Sequence, residues 1–134
     1  MSEQKEPNIL VIDDEELTQE LIRHMLRELS LGELVVHSSC SEALNHLKKN
    51  PSYFNLIVSD WEVPGMNGLD FLCEVRKLEA EVPFLMVTSN NAKELVVAAV
   101  KAGVTDFLTK PFTANGLLGK VQKHTGTTLI DPDF

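Results

Sequence analysis

Cysteine is almost absent from this chain of 134 residues: Cys40 and Cys73 are the two present, too few and too ordinary in setting for a disulfide framework or a cysteine-based zinc site. Both read as packing thiols. No stretch approaches the roughly 18 apolar residues needed to span a bilayer, and the polar opening MSEQKEPN lacks the apolar centre of a secretory signal. The expectation is a cytoplasmic protein with no membrane partner. Basic residues are scarce as well. Twelve Lys and Arg stand against 20 Asp and Glu, a formal net charge of -8, which leaves no clustered positive surface for a phosphate backbone and disfavours nucleic acid. The four histidines, His24, His37, His46 and His124, show no metal-ligand spacing and read as structural or solvated.

What is present is the composition of one globular domain, with 43% hydrophobic and 24% charged residues. Four apolar runs stand out: Ile9 to Ile12, Leu56 to Val58, Phe84 to Val87 and Phe107-Leu108. Leu34 to Val36 is a weaker fifth. Runs that are continuous rather than alternating fit parallel strands covered on both faces.

Helical patterns fill the intervals. Leu17, Leu21, Ile22, Met25, Leu26 and Leu29 recur at the spacing of one helix face. Ser41, Leu44 and Leu47 mark a second helix, stopped before Pro51. Leu69, Leu72, Val75 and Leu78 give a third behind Asn67 as N-cap, and Leu95 to Val100 a fourth that Gly103 ends. Thr113 caps a fifth, weakened by Gly116 and Gly119 at about 1 kcal/mol each. Five β-α units in succession predict an α/β fold with a parallel sheet between two helical layers. The expected division is a polar segment 1–7, a domain 8–125 and a tail 126–134, too short for an output domain.

The residues that close the strands carry the chemistry. Asp13-Asp14 follows the first strand, Asp60 the third, Thr88-Ser89 the fourth and Lys110-Pro111 the fifth. In an open parallel sheet the carboxyl ends share one edge, so these residues converge. Three carboxylates there repel one another and require a counter-charge. Lys110 supplies one, and a hard divalent cation such as Mg²⁺, bound through oxygen, supplies more. A carboxylate in this setting can act as a nucleophile toward phosphorus, with Lys110 and the Thr88 hydroxyl offsetting charge on the phosphoryl oxygens.

The joint set VIDDEE, IVSDWEVPGMNG, MVTSNN and DFLTKPF resembles the receiver domain of two-component response regulators, most of all the stand-alone chemotaxis type, over about Asn8 to Lys123. The resemblance implies a doubly wound, flavodoxin-like sheet of order 2-1-3-4-5. It implies Asp60 as phosphoacceptor, Asp14 as a direct Mg²⁺ ligand, Asp13 as a ligand mainly through water, and the backbone carbonyl of Glu62 as another. Thr88 and Lys110 would contact the phosphoryl group, Lys110-Pro111 would be cis, Thr88 and Phe107 would form the switch, and Glu62 and Asn90 would tune phosphate lifetime.

The implied partners are a sensor histidine kinase or phosphotransfer protein as donor, and a downstream protein target. A phosphorylation-dependent homodimer is a further possibility of the same face, built by the fourth helix, fifth strand and fifth helix. Such a domain phosphorylates and dephosphorylates itself rather than turning over a substrate. Two other readings share parts of the pattern: a Mg²⁺-dependent aspartyl-phosphate phosphatase, whose Asp-x-Asp motif is replaced here by Asp13-Asp14-Glu15-Glu16, and a receiver that binds partners without phosphorylation. A flavin or nucleotide binder would need a phosphate loop where those four acids stand.

Overall fold

The computed structural model describes residues 6–79 and 81–130. Residues 1–5 of the expected polar segment and 131–134 of the expected tail lie outside the described residues. Ten elements alternate: β1 (Ile9–Ile12), α1 (Glu16–Leu26), β2 (Leu34–His37), α2 (Cys40–Lys49), β3 (Leu56–Asp60), α3 (Gly68–Leu78), β4 (Phe84–Thr88), α4 (Lys93–Ala102), β5 (Asp106–Thr109) and α5 (Ala114–Thr125). The strands form one parallel sheet in the order β2-β1-β3-β4-β5, the order expected.

Alternation along each strand divides the core in two. Leu10, Ile12, Ile57, Phe84 and Met86 pack with Leu44, Leu47, Phe71, Leu72 and Val75 of α2 and α3 on one face. Ile9, Val11, Leu56, Val58 and Leu85 pack with Ile22 and Leu26 of α1 and Leu117 and Val121 of α5 on the other. Every residue of β1, β3 and β4 is buried, so the three central strands are dry on both sides and their carboxyl ends are held in fixed register. That register sets Ile12 beside Ser59, Asp60 beside Val87, and Thr88 beside Thr109, which brings the ends of β1, β3, β4 and β5 to a single edge.

Local signals explain most boundaries. Asn67 caps α3 by accepting from the Asp70 N–H, Thr113 caps α5 by accepting from the Gly116 N–H, and Gly103 ends α4 at φ 96°. Gly116 and Gly119 both lie inside α5, as expected.

Three expectations are corrected. The second helix starts at Cys40, not Ser41, because the Ser39 hydroxyl accepts from the Glu42 N–H; Ser39 to Glu42 has the Ser-x-x-Glu spacing of a capping box. On α1 the inward residues are Gln19, Ile22 and Leu26, whereas Leu17 is 74% exposed and Leu21 47% exposed. At about 100° per residue, Leu17 and Leu21 form a row rotated by more than a quarter turn from Ile22, so they fall on the flank. Of the two cysteines, Cys40 packs in the core, where burial chiefly pushes its thiol up to about 11, but Cys73 is exposed on α3.

Candidate functional site

The dry central strands end abruptly in polar residues, and this is where burial and charge conflict. Asp13, Asp60 and Thr88 are 2%, 6% and 4% exposed, among the few buried polar groups of the described residues. A carboxylate stays ionised in such a place only with a partner. Lys110 provides it. Its Nζ donates to Asp60 Oδ2 at 2.9 Å and to Asp13 Oδ2 at 3.2 Å, joining the ends of β5, β3 and β1 through one ammonium. The Lys110-Pro111 peptide is cis, as expected from the family pattern.

Electrostatic directions follow from this geometry. Burial raises the Asp60 carboxyl above the ordinary range, and the hydrogen bond and charge of Lys110 oppose that rise without cancelling it. Burial pulls the Lys110 ammonium down, but its contacts with Asp60 and Asp13 outweigh burial and leave it raised, so Lys110 is a fixed cation. The remaining oxygen of Asp60, Oδ1, accepts from the Glu62 N–H at 3.2 Å.

Asp14 is exposed at the mouth, next to buried Asp13. One carboxylate oxygen from each of Asp13, Asp14 and Asp60 lies within 4.8 Å of the others. Opposite ligands of octahedral Mg²⁺ stand about 4.2 Å apart, so this all-oxygen set suits that ion with small side-chain movement. One ammonium against three carboxylates also leaves negative charge for a cation to offset. Asp14, Glu15, Asp60, Glu62, Ser89 and Lys110 line an open depression of about 320 Å³ above the cluster.

The other expected residues take distinct places. The Thr88 hydroxyl is engaged with its own loop, donating to Asn90 O and accepting from Asn90 N–H, both at 3.0 Å. Asn90 in turn closes a side-chain turn just before α4, its Oδ1 accepting from the Ala92 N–H at 3.0 Å. Glu62 reaches across the mouth, where Oε1 accepts from the Ser89 hydroxyl at 3.2 Å. Phe107 is half-buried against the α2-α3-α4 side of the core. Trp61, directly after β3, is 7% exposed and belongs to the core, with its backbone N–H donating to Val87 O at 2.9 Å.

Two contributors escaped sequence reasoning. Gln19, buried on α1, donates from Nε2 to Asp13 O at 2.6 Å and to Ser38 Oγ at 3.1 Å, which holds the acid pair from behind. A glutamine among the apolar positions of an amphipathic helix was the available signal. The other is Ser89, visible in the sequence as a strand end but without an assigned role.

This arrangement of sheet order, acid cluster and lysine is shared with known proteins. A family model described as the response regulator receiver domain matches residues 9–122. The chain belongs to the response regulator receiver family. This receiver domain is 35% identical over 121 residues to the chemotaxis protein CheY-3 of Vibrio cholerae serotype O1, covering 89% of this chain and 92% of that one. Among solved structures, a response regulator receiver domain protein from Clostridium thermocellum superposes with a TM-score of 0.81 at 27% identity, covering 90% of this chain and 94% of that one. The receiver domain of a sensor histidine kinase from Pseudomonas aeruginosa, solved with a magnesium ion coordinated in its active-site cleft, gives a TM-score of 0.79 at 25% identity over 90% of this chain and 98% of that one. Among the described residues of this receiver domain, no helix is long and apolar enough to cross a membrane.

Proposed function

We propose that this receiver accepts a phosphoryl group on Asp60 from the phosphohistidine of a sensor kinase or phosphotransfer protein, and that the modification alters the face of α4, β5 and α5 toward a protein target. The supporting observation is the convergence of Lys110, Asp13 and Asp60 at 2.9 and 3.2 Å on an edge otherwise built of buried apolar strands. Burying opposing charges at one edge costs desolvation that a group drawing on those charges, such as a phosphoryl group, offsets.

In the transfer, an Asp60 carboxylate oxygen forms a bond to phosphorus while the phosphorus–nitrogen bond of the donor breaks and its electron pair stays on the imidazole. Lys110 then faces the new phosphoryl oxygens and offsets their charge. Asp14, Asp13, Asp60 and the Glu62 carbonyl would hold Mg²⁺, which supplies further positive charge to the phosphoryl oxygens when bound. The Thr88 hydroxyl, once released from Asn90, can donate to the phosphoryl group. That movement opens space beside β4 into which half-buried Phe107 can turn, and phosphate shifts the equilibrium only by such differential contacts. Glu62, joined to Ser89 across the mouth, and Asn90 would govern water access and thus the lifetime of the phosphate.

On this reading the protein is a cytoplasmic switch that modifies itself, not a turnover enzyme. Exposed Val97 and Val100, 41% and 59% accessible on α4, suit an apolar contact with a target or with a second receiver. Beryllofluoride added to the Mg²⁺-saturated protein tests the proposal: Trp61 fluorescence should change further in the wild type and show no further change in Asp60→Asn. No change in the wild type would count against it.

A further inference from the structure

His37 and His46 are nine positions apart and belong to different elements, yet their rings meet. His37 ends β2 and faces α2, where its Nε2 lies 3.0 Å from His46 Nδ1. The ring centroids are 5.3 Å apart with planes at 79°. Behind them Phe54 meets the His46 ring edge-on at 5.2 Å, which limits the angles that imidazole can adopt. His46 is four residues beyond Glu42 on α2, so the two side chains share one helix face. His37, Glu42, Asn45, His46, Lys49 and Asn50 line an open depression of about 430 Å³, separate in its lining from the carboxylate cluster.

We propose that His37 and His46 form a binding site for a divalent transition-metal ion of the zinc class, which Glu42, on the rim of the same depression, joins as third ligand by turning its side chain toward the two rings. Two imidazoles on one tetrahedral zinc, at about 2.0 Å each, place their nitrogens about 3.3 Å apart. The observed 3.0 Å contact therefore needs to open by only a few tenths of an ångström. Zinc takes imidazole and carboxylate together readily, and solvent completes the four ligands. The two ring nitrogens face each other from a strand and a helix, close enough for one ion to bridge once it displaces the proton between them, and the depression gives an ion a path from solvent. Burial, followed by the nearby His46, lowers the affinity of His37 for protons, so the neutral form that ligates metal is available at neutral pH, while Glu42 is near enough to act in the opposite sense. Lys49 lines the same depression but is exposed, so its ammonium can extend into water. Donor type separates this site from the phosphorylation edge: nitrogen ligands select a softer ion than the all-oxygen set of Asp13, Asp14 and Asp60.

The test is a calorimetric zinc titration of the full chain in saturating Mg²⁺, which occupies the carboxylates, together with imidazole ¹H–¹⁵N spectra. The wild type should take up one zinc, with the ring signals of both His37 and His46 shifting as it binds. His46→Gln should weaken uptake roughly tenfold or more, and Glu42→Gln should weaken it to a smaller degree. Circular dichroism of His46→Gln checks that it is folded, and the wild-type spectra stand independently of that variant. Zinc uptake by folded His46→Gln equal to wild type, uptake that depends on Asp14 instead, or unmoved His37 and His46 ring signals would each overturn the proposal.

Discussion

The Lys110 ammonium stands 2.9 Å from Asp60 Oδ2, between residues 50 positions apart, and its second contact, with Asp13 at 3.2 Å, makes it the electrostatic link of the site. Because it neutralises the same oxygens that would bind a cation, lysine and metal compete for charge. Lys110→Ala should therefore raise Mg²⁺ affinity several-fold in a Trp61 fluorescence titration, while lowering phosphoryl uptake from acetyl phosphate. Unchanged Mg²⁺ affinity would mean that Lys110 does not share its carboxylates with the ion.

Gly68 is required by space rather than by backbone conformation. A Cβ at this position would sit 2.5 Å from Asp60 O and 2.8 Å from Trp61 Cα, both backbone atoms that cannot swing aside. Gly68→Ala should cost about 3 kcal/mol or more in urea unfolding. It should also weaken Mg²⁺ binding, because the displaced backbone carries Asp60.

Asp106 gives the fold an acid-sensitive contact at the start of β5. Burial alone would raise its carboxyl, but hydrogen bonds from His124 and Lys120 of α5 and from the Phe107 N–H outweigh this and bring it down to about 2. With the folded value below the ordinary aspartate value of about 3.9, Asp106 contributes stability above about pH 4 and loses it as pH falls toward about 2. After allowance for solvent screening the contribution is about 1–2 kcal/mol. Asp106→Asn should be less stable by that amount at pH 7 and should show a shallower loss across the acid window in denaturant melts.

Periodicity made the five β-α units legible, and the parallel sheet did the rest: once the strands are parallel, Asp13, Asp14, Asp60, Thr88 and Lys110 must share an edge. What stayed hidden depends on rotation about a helix or on packing between elements. Leu17 and Leu21 look like core residues until the helix is turned to bury Ile22 and Leu26. Ser39 and Ser41 are equally good caps by type, and only the backbone direction at the end of β2 chooses Ser39. Trp61 reads as a loop residue because it follows the apolar run and precedes the Pro-Gly turn, yet its backbone N–H continues the β3-β4 ladder to Val87 O and its side chain joins the core. His37 and His46 meet only because β2 and α2 cross there, which no spacing rule anticipates.

The central claim is that Asp60 accepts the phosphoryl group. Intact-mass measurement after incubation with acetyl phosphate and Mg²⁺ tests it most directly, with the same reaction on Asp60→Asn. The account predicts a mass increase of one phosphoryl group in the wild type, dependent on Mg²⁺ and absent from Asp60→Asn. An increase of equal size in Asp60→Asn, or none in the wild type, would contradict it.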